Sequence, residues 1–354
     1  MDSESESNTG VASVPRAAKG GRFRVPTPIK HFLKIAIGAA AIWGLIHSGA
    51  LDPALVAQAF VNHPWFCFAA FLSYLFLVQS MAWLRWFLLL RQAGLRPHPG
   101  RVLSLQMIGL FFNSLIPGGT GGDLIKGYYL FKEYGARDKS LALTSIVMDR
   151  FVGLYALLSV AMAMTWLNYD MWKDSPVMRL NSLFYAGVFT TITLTIAFFF
   201  SPWSKWFLSH PEMHSAPGGR FLRSLSDSLL VYRSRPWGLL LPLGIGMVVD
   251  FGLILLYFFS ACALEIDLPL AVQGFVVPTL TMINGIPISP SGLGVGEAAG
   301  EMIYRNLGVA EGGGEVLVLV HIFVLGTSLL GAPFYFFYRA KDPKKEFGKE
   351  AKVG

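Results

Sequence analysis

The sequence predicts an all-α polytopic membrane protein with about six transmembrane helices and two oppositely oriented re-entrant helical hairpins. First, 53% of the 354 residues are hydrophobic and only 14% are charged, which is not typical of a soluble domain. Second, the apolar residues form runs of about 20, the length that crosses a bilayer as a helix. Third, two further apolar runs each end in a cluster of proline and glycine, and these predict the hairpins.

Six runs are long and apolar enough to span the hydrocarbon core. They cover residues 32–48, 65–90, 141–167, 183–200, 237–264 and 316–338. Residues 1–28 are expected to be a disordered cytoplasmic tail, 29–340 the transmembrane domain and 341–354 a basic cytoplasmic tail. No apolar run with a small-residue cleavage site follows a short basic start, so the first span is expected to be a retained anchor. Cys67 and Cys262 both lie in spans, which argues against a disulfide framework.

Lysine and arginine predict the orientation of the spans. The net charge of +7 comes from basic residues at span ends rather than from a basic domain for nucleic acid. The N-terminal tail is basic and the loop 49–64 has no Lys or Arg, so both termini are predicted to be cytoplasmic, in the inner (plasma) membrane. Basic residues flank the apolar run 102–116 on both sides, which indicates a cytoplasmic hairpin. The segment 268–308 lies between two loops that lack Lys and Arg, which predicts a second hairpin from the outer face.

The two predicted hairpins have similar sequences where their helices break. Each runs from an apolar helix through Asn, Pro and Gly-x-Gly to an acid that opens an amphipathic helix. The residues are Asn113, Pro117, Gly119, Gly121, Gly122 and Asp123 in the first hairpin, and Asn284, Pro290, Gly292, Gly294 and Glu297 in the second. This similarity and the opposite orientations predict an inverted repeat.

A helix break at membrane depth is tolerated only where it is buried in protein or lines a wet cavity. The helix that starts after the break presents unpaired N–H groups and the positive end of its dipole, which favour an anion such as a lipid phosphate. Matching breaks in two halves of a chain are typical of a transporter's binding site. Alternatively, Asp123 and Glu297 are ordinary helix-capping acids.

Asp149, Arg150 and Asp250 are ionisable residues that lie well inside predicted spans. Each costs about 2.5–3.5 kcal/mol to insert, so each is expected to be functional or paired. Asp149 and Arg150 point about 100° apart on one helix, and the first hypothesis pairs Arg150 with Asp250. A purely structural ion pair is the alternative.

Other polar residues have simpler expectations. Lys126 shares a helical face with Asp123 and could hold a phosphate or pair with that carboxylate. His321 is expected to be a packed, hydrogen-bonded histidine rather than a proton relay, and Arg85 to extend towards the cytoplasmic surface. Glu301 and Arg305 are spaced for a local ion pair.

The sequence resembles the lysylphosphatidylglycerol synthase transmembrane-region family, also described as a flippase-like domain. The resemblance covers about residues 30–340 and rests on "FFNSLIPGGTGGDLIKGYYL", "ALTSIVMDRFVGL" and "GIPISPSGLGVGEAAGEMI". It implies an inner-membrane protein whose fused relatives translocate aminoacylated phosphatidylglycerol to the outer leaflet. The residues it carries over are Asn113, Pro117, Gly121, Gly122, Asp123, Asp149, Arg150, Pro290, Gly292, Gly294 and Glu297. Because a free-standing member without the aminoacyl-transferase domain is expected, synthesis of lysyl-lipid is not predicted.

The expected function is a lipid translocase that acts on an anionic or modified phospholipid or a polyprenyl-phosphate lipid. One alternative is an integral-membrane transferase with Asp123 or Glu297 as general base, and another is a scaffold for lipid or cell-envelope synthesis. The expected partners are membrane lipids bound through a phosphate-bearing headgroup, and no nucleic acid. A homodimer and complexes with envelope or lipid-synthesis enzymes stay open, and no cofactor or metal is expected.

Overall fold

The structure, a computed structural model, describes most of the chain from residue 52 to residue 338. The described residues are 43, 46, 47, 52–115, 121–133, 138–173, 176–201, 203, 231–234, 236–286, 292–309 and 312–338. They contain helices and no β-strand, which confirms the all-α prediction. The predicted tails 1–28 and 341–354 lie outside them.

The helices are numbered here in chain order. The first half contains α1 (Pro53–Asn62), α2 (Pro64–Gln92), α3 (Pro99–Leu115), α4 (Gly121–Glu133), α5 (Asp138–Leu167), the short α6 (Tyr169–Trp172) and α7 (Pro176–Phe200). After a 3₁₀ turn at Pro236–Leu239, the second half contains α8 (Leu240–Ala263), α9 (Leu270–Asn284), α10 (Val295–Asn306), α11 (Gly313–Leu329) and α12 (Gly331–Phe337).

Five helical segments in the described part of the chain are long and apolar enough to cross a membrane. They are Pro64–Gln92, Leu141–Leu167, Met178–Phe198, Pro236–Ala263 and Gly313–Phe337. These segments confirm five of the six predicted runs, and the chain is a multi-pass membrane protein. Most of the remaining run, 32–48, lies outside the described residues.

Helices α2 and α8 cross closely at the centre of the structure. Helix α2 is π-helical over Ser73–Ser80, and α8 meets this stretch at Gly252. A Cβ on Gly252 would stand 2.6 Å from the Cβ of Leu77, so any side chain there would push the helices apart. Small residues at such crossings allow close backbone packing between membrane helices.

The packing of the helices repeats between α2–α5 and α8–α11, which we call the first and second units. Within each unit, the first span packs on the first hairpin helix, the two hairpin helices pack on each other, and the second hairpin helix packs on the following span. The contacts between units are reciprocal: α5 packs on α8 and α9, and α11 packs on α2 and α3. This is the pattern expected of two units related by an approximate twofold axis, and it supports the internal repeat. The opposite orientation of the hairpins in the bilayer stays a prediction.

The first hairpin is closed by a glycine contact between α3 and α4. A Cβ on Gly122 would overlap the backbone carbonyl of Gly109, so the helices can meet there only without a side chain. We expect Gly122→Ala to force them apart and to destabilise the protein by about 1–3 kcal/mol, the usual cost of overpacking. Thermal unfolding in detergent would measure the loss.

Gly187→Ala in α7 is the matched control, because a Cβ on Gly187 would meet no atom within 4 Å. This variant should be neutral or stabilised by up to about 1 kcal/mol, the helix-propensity gain of alanine over glycine. Equal unfolding temperatures for the two variants would contradict the close approach.

Candidate functional site

An asparagine closes each helix break from the end of the preceding helix. In the first hairpin, Oδ1 of Asn113 accepts a hydrogen bond of 2.7 Å from the backbone N–H of Gly122, satisfying one of the donors left open where α4 starts. In the second hairpin, Oδ1 of Asn284 lies against Gly292 and Gly296, and a Cβ on either glycine would overlap it. The two predicted asparagines therefore occupy equivalent places in the repeat.

The Asp123 carboxylate lies in the first turn of α4 and meets two cations. Its Oδ2 accepts a hydrogen bond of 2.5 Å from Nε of Arg150 in α5, and its Oδ1 is 3.6 Å from Nζ of Lys126. The buried Lys126 ammonium also donates to Oε1 of Gln106 at 2.7 Å and lies 5.0 Å from the ring centroid of Trp86. The predicted proximity of Lys126 and Asp123 is confirmed.

The Asp149 carboxylate is bound by Arg85, a residue that sequence reasoning left out of the site. Nε and Nη2 of Arg85 donate to the two oxygens of Asp149 at 2.8 and 3.3 Å. The expectation that Arg85 extends to the membrane surface is therefore wrong. The guanidinium fits between α5 and α8 because Gly153 and Gly246 have no side chains. A Cβ on Gly153 would stand 3.0 Å from Nη1 of Arg85, and a Cβ on Gly246 would stand 3.5 Å from it. Gly153, one turn after Asp149, is the sequence signal that could have found this slot.

The predicted pairing of Arg150 with Asp250 is also wrong. Arg150 turns towards α4 and pairs with Asp123, while Asp250 lies buried on α8 near the charge of Arg85. The reason is the angle of about 100° between adjacent helical residues, which directs Asp149 and Arg150 to different neighbours. Oδ2 of Asp250 is buried and has no hydrogen-bond partner among the described residues.

These six side chains form one group with balanced formal charge, which we call the charged cluster. Its members are Arg85, Lys126, Arg150, Asp123, Asp149 and Asp250. The side chains of Arg85 and Lys126 are 10% and 8% exposed, whereas that of Arg150 is 56% exposed. Arg150 is therefore the cation best placed to meet a ligand.

A cavity of about 440 Å³ lies beside the Asp123–Arg150 pair. Apart from that pair its lining is apolar, with Leu124 from α4 and Leu143, Ile146, Val147, Phe151 and Leu154 from α5. The cavity thus offers one ion pair set in an apolar wall.

The acid of the second hairpin, Glu297, is fully buried. Its Oε2 accepts a hydrogen bond of 2.6 Å from the backbone N–H of Gly294, and its Oε1 lies 2.8 Å from Nδ1 of His321 in α11. Glu297 is the third residue of α10, and its carboxylate caps the start of the helix as the N3 acid of a capping box does. His321 is packed and hydrogen-bonded, as expected. Gly294 has φ +82°, a conformation that favours glycine.

The local pair predicted on the same helix, Glu301 with Arg305, is confirmed at 2.5 Å. Three predicted site residues, Pro117, Gly119 and Pro290, lie outside the described residues. The others fall in two places. The first hairpin and its neighbours hold Asn113, Gly121, Gly122, Asp123, Lys126, Asp149, Arg150 and Asp250, and the second holds Asn284, Gly292, Gly294 and Glu297.

Residues 31–331 match the family model described as "Lysylphosphatidylglycerol synthase TM region". The chain belongs to this family. It is also similar to the UPF0104 membrane protein MJ1078 of Methanocaldococcus jannaschii, with 24% identity over 244 residues, covering 67% of this chain and 99% of that protein. No solved structure matches the chain. Membership of the lysylphosphatidylglycerol synthase transmembrane-region family fits a lipid-related function in the membrane.

The ion pairs of this family member predict which charges are energetically coupled. Removing Arg85 alone should cost about 3–5 kcal/mol, because the Asp149 carboxylate stays buried without its hydrogen-bonded cation. Double-mutant cycles with Arg85→Met and Asp149→Leu, and with Arg150→Ala and Asp123→Asn, should each give a coupling energy of about 0.5–3 kcal/mol. Unfolding in detergent is the measurement.

The matched cycle combines Arg150→Ala with Asp250→Asn. Since these residues do not pair, their coupling energy should be smaller than that of either ion pair. A coupling there as large as that of Arg85 with Asp149 would contradict the pairing.

Proposed function

We propose that this protein is a lipid translocase of the inner (plasma) membrane. It moves an anionic or modified phospholipid, or a polyprenyl-phosphate lipid, from one leaflet to the other. The observation that carries the proposal is the Asp123–Arg150 pair, which lies where a helix restarts after a break and beside an apolar cavity.

The chemistry of this pair suits a phosphate. An arginine guanidinium binds phosphate as it binds carboxylate, through charge-assisted and often bidentate hydrogen bonds. A headgroup phosphate can therefore take the place of the Asp123 carboxylate on Arg150. Lys126 and the start of α4 add positive potential at the same point.

The apolar wall of the cavity suits the chain of a lipid. The wall follows α5, and Phe151 lines both this cavity and a second one of about 340 Å³ bounded by α5, α7, α8 and Tyr232. A ligand that is charged at one end and apolar along its length fits the two cavities better than a soluble metabolite does. The rest of the lipid chain would stay in the bilayer.

Arg85 lies where the two repeated units meet, which suits alternating access. It pairs with Asp149 of its own unit and lies near Asp250 of the other unit. When one unit rocks against the other, Arg85 would exchange Asp149 for Asp250, whose Oδ2 has no hydrogen-bond partner in the described part of the chain. The charge would then stay compensated in both states.

The transferase alternative is less favoured by the contacts of its candidate bases. A general base must be able to take a proton from the substrate. Asp123 is engaged by Arg150 and Lys126, and Glu297 by Gly294 and His321. These contacts favour binding over proton abstraction at both carboxylates.

The test uses purified protein in proteoliposomes that contain labelled anionic phospholipid, aminoacylated phosphatidylglycerol or polyprenyl phosphate. Leaflet accessibility and lipid mass are followed together. We expect accessibility to change at constant mass for at least one lipid. Arg150→Ala should slow the change about tenfold or more, because a charge-assisted hydrogen bond contributes about 1.5–3 kcal/mol. Arg150→Lys should retain part of the rate.

Arg305→Ala is the matched control. Arg305 is also 56% exposed and also donates to a carboxylate at 2.5 Å, but it lies in the second hairpin. Its loss should leave the rate nearly unchanged. A change in lipid mass would favour the transferase instead, and unchanged accessibility with no lipid bound would favour the scaffold.

A further inference from the structure

We propose that the Glu297–His321 pair is a proton-binding site, and that proton binding there drives lipid movement at the charged cluster. This inference rests on the proposed function and deepens it by naming the source of energy. It begins from the difference between the acids in the two halves of the repeat.

Glu297 is buried without a permanent cation. Its exposure is 0%, and the ion-pair partner that the described residues offer it is His321, with Nδ1 2.8 Å from Oε1. An ionised carboxylate inside a protein needs charge compensation, since burying it alone is very costly. Histidine supplies a positive charge only when protonated, and it changes state between pH 5 and 8. Compensation of Glu297 therefore depends on one bound proton.

In the first half of the repeat, the charge of the hairpin acid is compensated by different residues. Asp123 there meets Arg150 and Lys126, and arginine stays charged at any physiological pH. The two hairpins thus share a backbone design but carry different chemistry. One holds fixed cations that suit a lipid phosphate, and the other holds a titratable cation that suits a proton.

The Glu297–His321 pair borders a cavity. A cavity of about 430 Å³ between α1 and α11 is lined by Glu297, His321 and apolar side chains such as Val56, Phe60 and Leu325. Glu297 and His321 are its titratable lining residues. In the predicted orientation the second hairpin enters from the outer face, so the cavity would receive protons from outside the cell.

Other titratable and charged groups lie on α10, α11 and the elements packed against them. They are Tyr74, Tyr257, Tyr304, Glu301, Arg305, Glu315 and Asp52, together with Arg85, Arg91, Arg101 and Asp250 on the sides of α2, α3 and α8. Phenols ordinarily lose their proton near pH 10. Glu301 is held by Arg305 and by the N–H of Gly314, and Oε1 of Glu315 accepts the N–H of Asp52. The imidazole is thus the ion-pair partner of Glu297 whose charge depends on a bound proton.

The packing carries a proton-dependent shift to the lipid site. Helices α10 and α11 are in close contact, and a Cβ on Gly300 would stand 2.9 Å from the carbonyl oxygen of Gly313. Helix α11 also packs on α3 of the first unit. Loss of the proton leaves Glu297 uncompensated, so α10 and α11 must rearrange, and α11 transmits the change to the hairpin that carries Asn113 and Gly122.

The first arm of the test detects the proton directly and does not need lipid transport. Full-length protein with ¹⁵N-labelled histidine is placed in phospholipid nanodiscs, and ring-nitrogen shifts are recorded from pH 5 to 9. The signal lost in His321→Gln should show a proton gained within this range, and Glu297→Gln should displace that titration. A His321 ring that stays neutral throughout would overturn the proposal.

The second arm applies a pH gradient across the proteoliposomes. For one proton per lipid, a gradient of one pH unit should shift the steady-state leaflet distribution by up to about tenfold. His321→Gln and Glu297→Gln should abolish this shift. Glu301→Gln, an acid one turn along α10, is the matched control and should keep the shift.

The two arms separate the failure of this inference from failure of the proposed function. Wild-type lipid movement that ignores the gradient overturns the coupling and leaves the translocase intact. If His321 titrates but neither the wild-type protein nor any variant moves lipid, both the translocase and the coupling are overturned. Arg150→Ala should slow lipid movement about tenfold or more while His321 still titrates.

Discussion

A charge inside the hydrocarbon core needs a compensating charge, and this constraint determines how the helices of this protein assemble. Arg85 is the central case. It enters from α2, pairs with Asp149 of α5 and lies near Asp250 of α8, so three spans from both units meet at one guanidinium. The helices can approach it because Gly153 and Gly246 leave space. Apolar packing alone would leave these helices free to rotate, since lipid tails solvate apolar side chains equally well.

The helix breaks create a similar demand, because the backbone N–H groups at each break need hydrogen-bond partners. A broken helix at membrane depth leaves N–H donors unpaired. Asn113 satisfies one of them in the first hairpin, and the Glu297 carboxylate satisfies another in the second. Gly122 and Gly294 supply the close approach and the positive φ that these contacts require. Gly122 and Gly294 are therefore integral to the two helix breaks.

The two units have the same architecture, and their function differs through side chains. Both contain a span, a hairpin and a second span with reciprocal packing. The first unit surrounds its hairpin acid with lysine and arginine, whereas the second gives its acid a histidine. The repeated arrangement thus carries unequal charges around its two hairpin acids. This is the physical basis for assigning a lipid phosphate to one site and a proton to the other.

The sequence alone determined the spans, the positions of the breaks, the repeat and the family, because each depends on local composition or on a short motif. It also predicted the Glu301–Arg305 pair, since residues four apart on a helix share a face. Only the tertiary structure decided that Arg85 binds Asp149 and that Arg150 binds Asp123. Those choices depend on the rotation and separation of helices that are distant in sequence, and a short motif does not specify either one.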